Sequence, residues 1–301
     1  MTKDSTDKID QCLDEVRKLM AESLADTVLH RLAIDCKSLL GNGKMLRSRL
    51  AFRVGPDAGI SHRTLLYSSA AVEMIHGASL LHDDVIDGGY LRRSAPTFWV
   101  ERGVPGAILV GDLLLFKALD IIGQVEDGRL VHTLVRMTGE VCDAESEQEL
   151  ILRGKPGDWD SCVRIARRKT GALFAFSAHA CAGTDAVLAE ALTEAGYAVG
   201  TAYQLADDIL DVKGTEAESG KTLGTDQGRA KTTAATVHLP DGVDTASYID
   251  RLCEHADRAL ARWPKVRAAW QEFMTLDIRP AIAKHLSTQQ SVTPGKVSDC
   301  R

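Results

Sequence analysis

Two copies of one acidic motif carry the strongest chemical signal in the chain. Asp83, Asp84 and Asp87 lie in LLHDDVID, and Asp207, Asp208 and Asp211 lie far downstream in YQLADDILD. At about 100° per residue, a helix gathers each Asp-Asp-x-x-Asp trio within about a third of its circumference. Carboxylates about 6 Å apart repel by about 3 kcal/mol per pair at an effective dielectric near ~20, and by less than ~1 kcal/mol in water. A solvated acidic face would relieve that cost. Both motifs, however, end strongly apolar segments, AAVEMIHGASLL and ALTEAGYAVGTAYQLA, which belong in a core. The carboxylates are therefore expected at the rim of a buried cavity, beside a compensating cation. Oxygen-only ligands, with no His or Cys at ligand spacing, suit Mg²⁺ better than Zn²⁺. Such an ion keeps several waters and commonly bridges one or two carboxylates to substrate phosphates.

A diphosphate ligand also needs cations from the protein. Lys44 and Arg47 in GNGKMLRSRL, Arg92 and Arg93 in YLRRSAPT, Lys169 in RRKTGALF, and Lys221 and Lys231 in GKTLGTDQGRAKT are the candidates. Taken singly, each reads first as a solvated surface charge. Arginine offers phosphate a planar fork and lysine a point charge. Glycine beside Lys44 and Lys221 lets backbone approach a phosphate closely. His76 precedes Asp83 by about two helical turns and so shares its face, as a ligand or as a satisfied core residue.

The elements that must position these residues read as helices. Apolar residues recur at three- and four-residue spacing, convincing period-2 strands are absent, and Ala and Leu dominate. Glycine-rich interruptions near Gly41–Gly43, Gly55–Gly59, Gly88–Gly89, Gly103–Gly106, Gly154–Asp158, Gly214–Gly224 and Pro240–Gly242 separate helices of about 12–25 residues. The expectation is an all-α fold with one helical domain over 1–286 and a polar, mobile tail over 287–301. With 301 residues, 45% hydrophobic and 26% charged, the chain can bury a large core. A net charge of −6 argues against a nucleic-acid-binding surface, without excluding a basic pocket. No apolar run approaches a transmembrane span, and the polar start MTKDSTDKIDQ shows no secretory signal. Cys12, Cys36, Cys142, Cys162, Cys181, Cys253 and Cys300 are odd in number and form no CxxC pair, which suits reduced thiols in a cytoplasmic protein.

Taken in order, the motifs resemble the trans-isoprenyl diphosphate synthases, or polyprenyl synthetases, from about Gly41 to Thr232. GNGKMLRS is similar to the family's GGKxxRP segment, and EMIHGASLLHDDVIDGGYLRRSAPT to its first aspartate-rich region. GAILVGDLLL, RRKTGALF, GTAYQLADDILD and GKTLGTD also have counterparts. The resemblance implies an isoprenoid-synthase-type helical bundle around a deep central cavity, a homodimer, and three Mg²⁺ ions. It implies that Asp83, Asp84, Asp87, Asp207 and Asp208 hold metal, with Asp211 acting through water. Lys44, Arg47, His76 and Arg93 would bind isopentenyl diphosphate. Arg92, Lys169, Thr170, Gln204, Lys221 and Lys231 would bind the allylic diphosphate (dimethylallyl, geranyl or farnesyl), with Lys169 also counted in the catalytic machinery. Ser48 replaces the usual Pro, Asn42 a Gly, and Ser94 the Gly after the Arg pair. Asp143 falls where many members carry Gln.

The expected reaction is ionisation of the allylic diphosphate, its leaving charge neutralised by Mg²⁺ and Lys/Arg, followed by attack of isopentenyl diphosphate. Water would quench the cation, so the cavity must be apolar and closable. A class I terpene cyclase usually carries a second motif with Ser and Glu, where this chain has Asp211 and Thr215. A non-catalytic subunit of a heteromeric synthase would be expected to lose aspartates or basic residues. The growing chain should run from Asp83 along its helix toward the N-terminus, with Ala78 and Ser79 as the first floor of the pocket. Both are small, so the expected product has twenty carbons or more, with Met74, Ile75 and Phe116 as deeper floor candidates.

Overall fold

The computed structural model describes residues 3–32, 43–92, 94–213, 231–240 and 242–286, without the side chains of residues 3–6 and 211–213. Among the described residues helix dominates. The long helices are α1 (Lys3–Ser23), α4 (His62–Asp87), α5 (Phe98–Ile122), α6 (Gly128–Ser146) and α9 (Ala186–Lys213). Between and after them come α2 (Val28–Arg31), α3 (Leu46–Val54), α7 (Trp159–Ala166) and α8 (Ala172–His179). The described residues end with α10 (Thr245–Ala259), α11 (Pro264–Phe273) and α12 (Arg279–Leu286). Arg93, Lys221, Cys36, Cys300, Asn42 and the tail 287–301 lie outside the described residues.

Helix α4 is the centre of the bundle. From Ser68 to Ala78 its residues are buried on nearly every face, the pattern of a helix enclosed by others. It starts where Ser61 accepts the Thr64 N–H at 3.1 Å, and ends at Gly88 in the left-handed region (φ 63°). That stop falls directly after Asp87, so the first acidic motif occupies the last turn. Helix α8 is likewise buried from Ala172 to Ala178. It lies against α9 so closely that a Cβ on Gly200 would come within 2.6 Å of the Gly171 Cα, and one on Gly196 within 2.6 Å of the Ala175 Cα. This backbone-to-backbone approach sets Thr170 opposite Gln204, one turn before Asp208.

Two departures from the sequence expectation are local. Leu91–Arg92 pairs antiparallel with Ala95–Pro96, a ladder too short to leave a period-2 signal. The expected break at Gly103–Gly106 is a kink within α5, where Gly103 has φ 75° and Pro105 follows. Three segments, Glu147–Leu152, Arg167–Gly171 and Met274–Ile278, are wound as π-helix. Such turns are frequent at functional sites. No described helix is long and apolar enough to cross a membrane. Helix α5 exposes Val100, Val104, Ile108, Leu109 and Phe116. Phe116 is 71% exposed and so lines no interior pocket of this chain.

Candidate active site

The first acidic cluster is wrapped in basic side chains. Arg92 on the short ladder reaches Asp84 with Nη2 at 2.7 Å and Nε at 2.8 Å from Oδ1. Lys231, with only 2% of its side chain exposed, places Nζ 2.6 Å from Asp87 Oδ1. The same ammonium lies 3.4 Å from Glu149 Oε1 and 3.7 Å from Glu145 Oε1. Lys169 forms an ion pair with Glu145. Burial pushes the Asp83 carboxyl up to about 6, with Glu145 and Asp87 adding to the rise against the pull of Lys169 and Lys231. Lys169 is held above its usual range: burial opposes its charge, but Asp83 and Glu145 outweigh it.

The second cluster is held differently. Asp208, 5% exposed, accepts the Gln204 amide at 2.7 Å and the Ala234 backbone N–H at 2.9 Å. Gln204 in turn accepts the Thr170 hydroxyl. Asp207 faces His285 of α12, with Nδ1 3.6 Å from Oδ1. The His285 ring packs on Tyr203 at 5.2 Å between centroids. The Asp211 side chain lies outside the description. The two clusters share their supports. Adjacent residues Lys169 and Thr170 serve the first and second cluster respectively, and so do Lys231 and Ala234. Gln148 pins the latter strand of chain by donating to the Thr232 carbonyl at 2.9 Å.

A third group surrounds Arg47 on α3. Its guanidinium is buried 4.9 Å from the Phe174 ring centroid. Burial lowers its pKa, against the opposing charge of Glu73. Lys44 is exposed, and its pKa is lowered by partial burial and by the nearby Lys284, against Asp207. His76 lies half-buried one turn beyond Glu73 on α4.

Several residues here escaped the sequence reading. Asp143 turns outward onto Arg168, and Glu145, two positions on, enters the site in its place. Glu145 and Glu149 form an i,i+4 pair, a spacing that could have flagged them. Lys284 and His285 come from the last helix, where no local motif marks them. Arg92 is engaged by Asp84 and does not stand open toward a ligand.

The donor chemistry fits Mg²⁺: carboxylate oxygens near the C-terminal ends of α4 and α9, with amide and ammonium groups beside them. No three His, Cys, Asp or Glu side chains among the described residues already stand as one shared ion site. A magnesium ion needs only one or two carboxylates, its remaining positions being water or phosphate. Asp83, Asp84, Asp87, Asp207 and Asp208 are the side chains that would hold it.

The chain belongs to the polyprenyl synthetase family, which it matches over residues 32–266. It is 33% identical over 278 residues to the farnesyl diphosphate synthase of Geobacillus stearothermophilus, a match covering 83% of this chain and 90% of that protein. It is 34% identical over 191 residues to a short chain isoprenyl diphosphate synthase of Methanocaldococcus jannaschii, covering 60% of this chain and 57% of that one. Several other curated relatives are likewise matched over only about three fifths of their length. A crystal structure of a decaprenyl diphosphate synthase from Rhodobacter capsulatus shares the fold, with a TM-score of 0.73 and 23% identity over 92% of this chain and 97% of that chain.

Proposed function

We propose that this protein is a Mg²⁺-dependent trans-polyprenyl diphosphate synthase, joining isopentenyl diphosphate to an allylic diphosphate. The observation that carries the reading is one short stretch that touches both aspartate clusters, Lys231 on Asp87 and the Ala234 N–H on Asp208, with Lys169 on Glu145 and Thr170 on Gln204 beside them. A diphosphate between the clusters would meet carboxylates, ammonium groups and amides converging from both sides. Bound Mg²⁺, three ions on the family pattern, supplies positive charge to the leaving oxygens.

Lys169 and Lys231 stabilise the charge that develops as the allylic C–O bond breaks and its electron pair leaves with diphosphate. Arg47, Lys44 and His76 hold isopentenyl diphosphate so that its double bond forms the new C–C bond with the allylic cation. The proton then lost passes to the released diphosphate, since the nearby carboxylates are committed to metal or to protein cations. Arg93 and Lys221 are assigned to the isopentenyl and allylic sides by motif position alone.

The small residues at Ala78 and Ser79 favour a product of twenty carbons or more. The exposed apolar ridge of α5 supports a homodimer. Cys12, Cys142, Cys162, Cys181 and Cys253 are free thiols, in keeping with a cytoplasmic location. Incubation with isopentenyl diphosphate and dimethylallyl, geranyl or farnesyl diphosphate, with and without Mg²⁺, followed by mass analysis, tests the reading. Elongated diphosphates formed only with metal support it. A cyclised hydrocarbon, or no turnover by the purified chain, refutes it. Light scattering at low micromolar concentration tests the dimer.

A further inference from the structure

Helix α3 begins without a cap of its own. Met45 precedes it in the left-handed region (φ 49°) and its side chain supplies no cap hydrogen bond. The first backbone N–H groups of a helix have no intrahelical acceptor, so a buried helix start needs one from elsewhere. Here the acceptor comes from another helix. Glu73 Oε1, in the middle of α4, accepts the Ser48 backbone N–H at 3.2 Å and the Ser48 hydroxyl at 2.9 Å. Both residues are buried, Ser48 at 0% and Glu73 at 5% exposed. The carboxylate also sits where the helix dipole favours negative charge.

The residue next to Ser48 is Arg47. Its guanidinium is buried against Phe174, and its Nε has no hydrogen-bond partner among the described residues. A buried, incompletely satisfied guanidinium implies an anion that arrives later. The first turn of α3 sets its direction.

We propose that Ser48 and Glu73 form a positioning clamp: by capping α3 from α4, they fix Arg47 for the diphosphate of isopentenyl diphosphate. The inference rests on the reading of the site given above. Neither residue touches the ligand in this account. The clamp is carried by hydrogen bonds, and a second account, in which Glu73 matters only as a charge beside Arg47, makes the opposite predictions.

Three variants separate the two. Ser48→Ala removes one bond and keeps the backbone donor. Ser48→Pro removes both donors, at a first-turn position where a proline ring is tolerated. Glu73→Gln keeps an acceptor for both and removes the charge. The net worth of one hydrogen bond corresponds to about a threefold effect, and of two to about a tenfold effect. The clamp therefore predicts that KM for isopentenyl diphosphate rises about threefold in Ser48→Ala and about tenfold in Ser48→Pro. Glu73→Gln should stay within about threefold of the parent, and KM for the allylic substrate should not move. Calorimetric binding of isopentenyl diphosphate should follow the same order. Parental values in both Ser48 variants, a largest effect in Glu73→Gln, or equal losses for both substrates would overturn the clamp. If Ser48→Pro does not fold, Ser48→Ala decides alone. A parent chain that neither binds nor consumes isopentenyl diphosphate overturns the reading of the site itself, which is a distinct failure.

Discussion

The two acidic motifs are alike in sequence and unlike in surroundings. The first is neutralised by full charges: Arg92 on Asp84, Lys231 on Asp87, Lys169 beside Asp83. Among the described residues, the hydrogen bonds to Asp208 come from neutral donors, Gln204 and the Ala234 N–H, while Asp207 has His285 and the charge of Lys44 nearby. Charges attract over distance and tolerate movement, whereas amide hydrogen bonds fix direction. Among the described residues, the first cluster is thus held mainly by ion pairs and Asp208 of the second mainly by directed hydrogen bonds.

That contrast has a stability consequence, the largest effect expected here. Lys231 is buried among Asp87, Glu145 and Glu149, so Lys231→Met takes away the buried ammonium these carboxylates share, although Glu145 keeps Lys169 and Glu149 keeps Arg153. Removing one partner from a buried charge group costs about 3–5 kcal/mol. Gln204→Ala removes one hydrogen bond to the Asp208 carboxylate, worth about 1.5–3 kcal/mol. Urea unfolding should rank the two in that order, and millimolar Mg²⁺ should restore more stability to Lys231→Met than to Gln204→Ala. Equal losses, or an equal response to metal, would erase the distinction between the clusters.

Turnover should depend on both clusters despite their different supports. Removing one group that stabilises developing charge lowers the rate by about 10²–10³. Asp83→Ala and Asp207→Ala should each lose at least about that much, with circular dichroism unchanged. Near-parental turnover in either folded variant would reduce the mechanism to one cluster.

The sequence made the two aspartate helices legible because their signal is local: three acids in one turn, after a long apolar stretch. It left Glu145 and Glu149 obscure for a geometric reason. Their i,i+4 spacing puts both on one helical face, but nothing local marks that face: it joins the site only through Lys169 and Lys231, which arrive from elsewhere in the fold. Asp143, to which the sequence assigns no role, turns to solvent onto Arg168. Lys284 and His285 were invisible because only the tertiary return of α12 to α9 brings them to Asp207. The Ser48–Glu73 contact crosses two helices and leaves no periodic trace. What sequence order encodes is the helix; what packing encodes is its neighbour.

A smaller effect should divide the substrates. Lys44→Ala, Arg47→Ala and His76→Ala should raise KM for isopentenyl diphosphate about tenfold, each losing a charge-assisted contact. Lys169→Ala should act mainly on the allylic substrate, through the Asp83 and Glu145 side of the site. Steady-state constants for both substrates check this. Equal losses on both sides would refute the partition and merge the Arg47 region with the first cluster.

The least costly change should alter the product and little else. Ala78 lies on α4 five residues before Asp83 and is fully buried, while Met74 and Ile75, about one turn further on, are also buried. Phe116 faces outward, which removes it from the floor and leaves α4 itself as the wall along which a tail would extend. Each helical turn advances about 5.4 Å, close to one extended isoprene unit. A phenyl ring at position 78 would fill the volume next to the first turn below Asp83 and Asp84. Ala78→Phe should therefore shorten the main product by at least one five-carbon unit, with the rate of the first condensation reduced less than in any aspartate variant. Chromatography of the dephosphorylated products checks it. An unchanged distribution would place the floor on another helix and show that α4 positions the metal without measuring the chain.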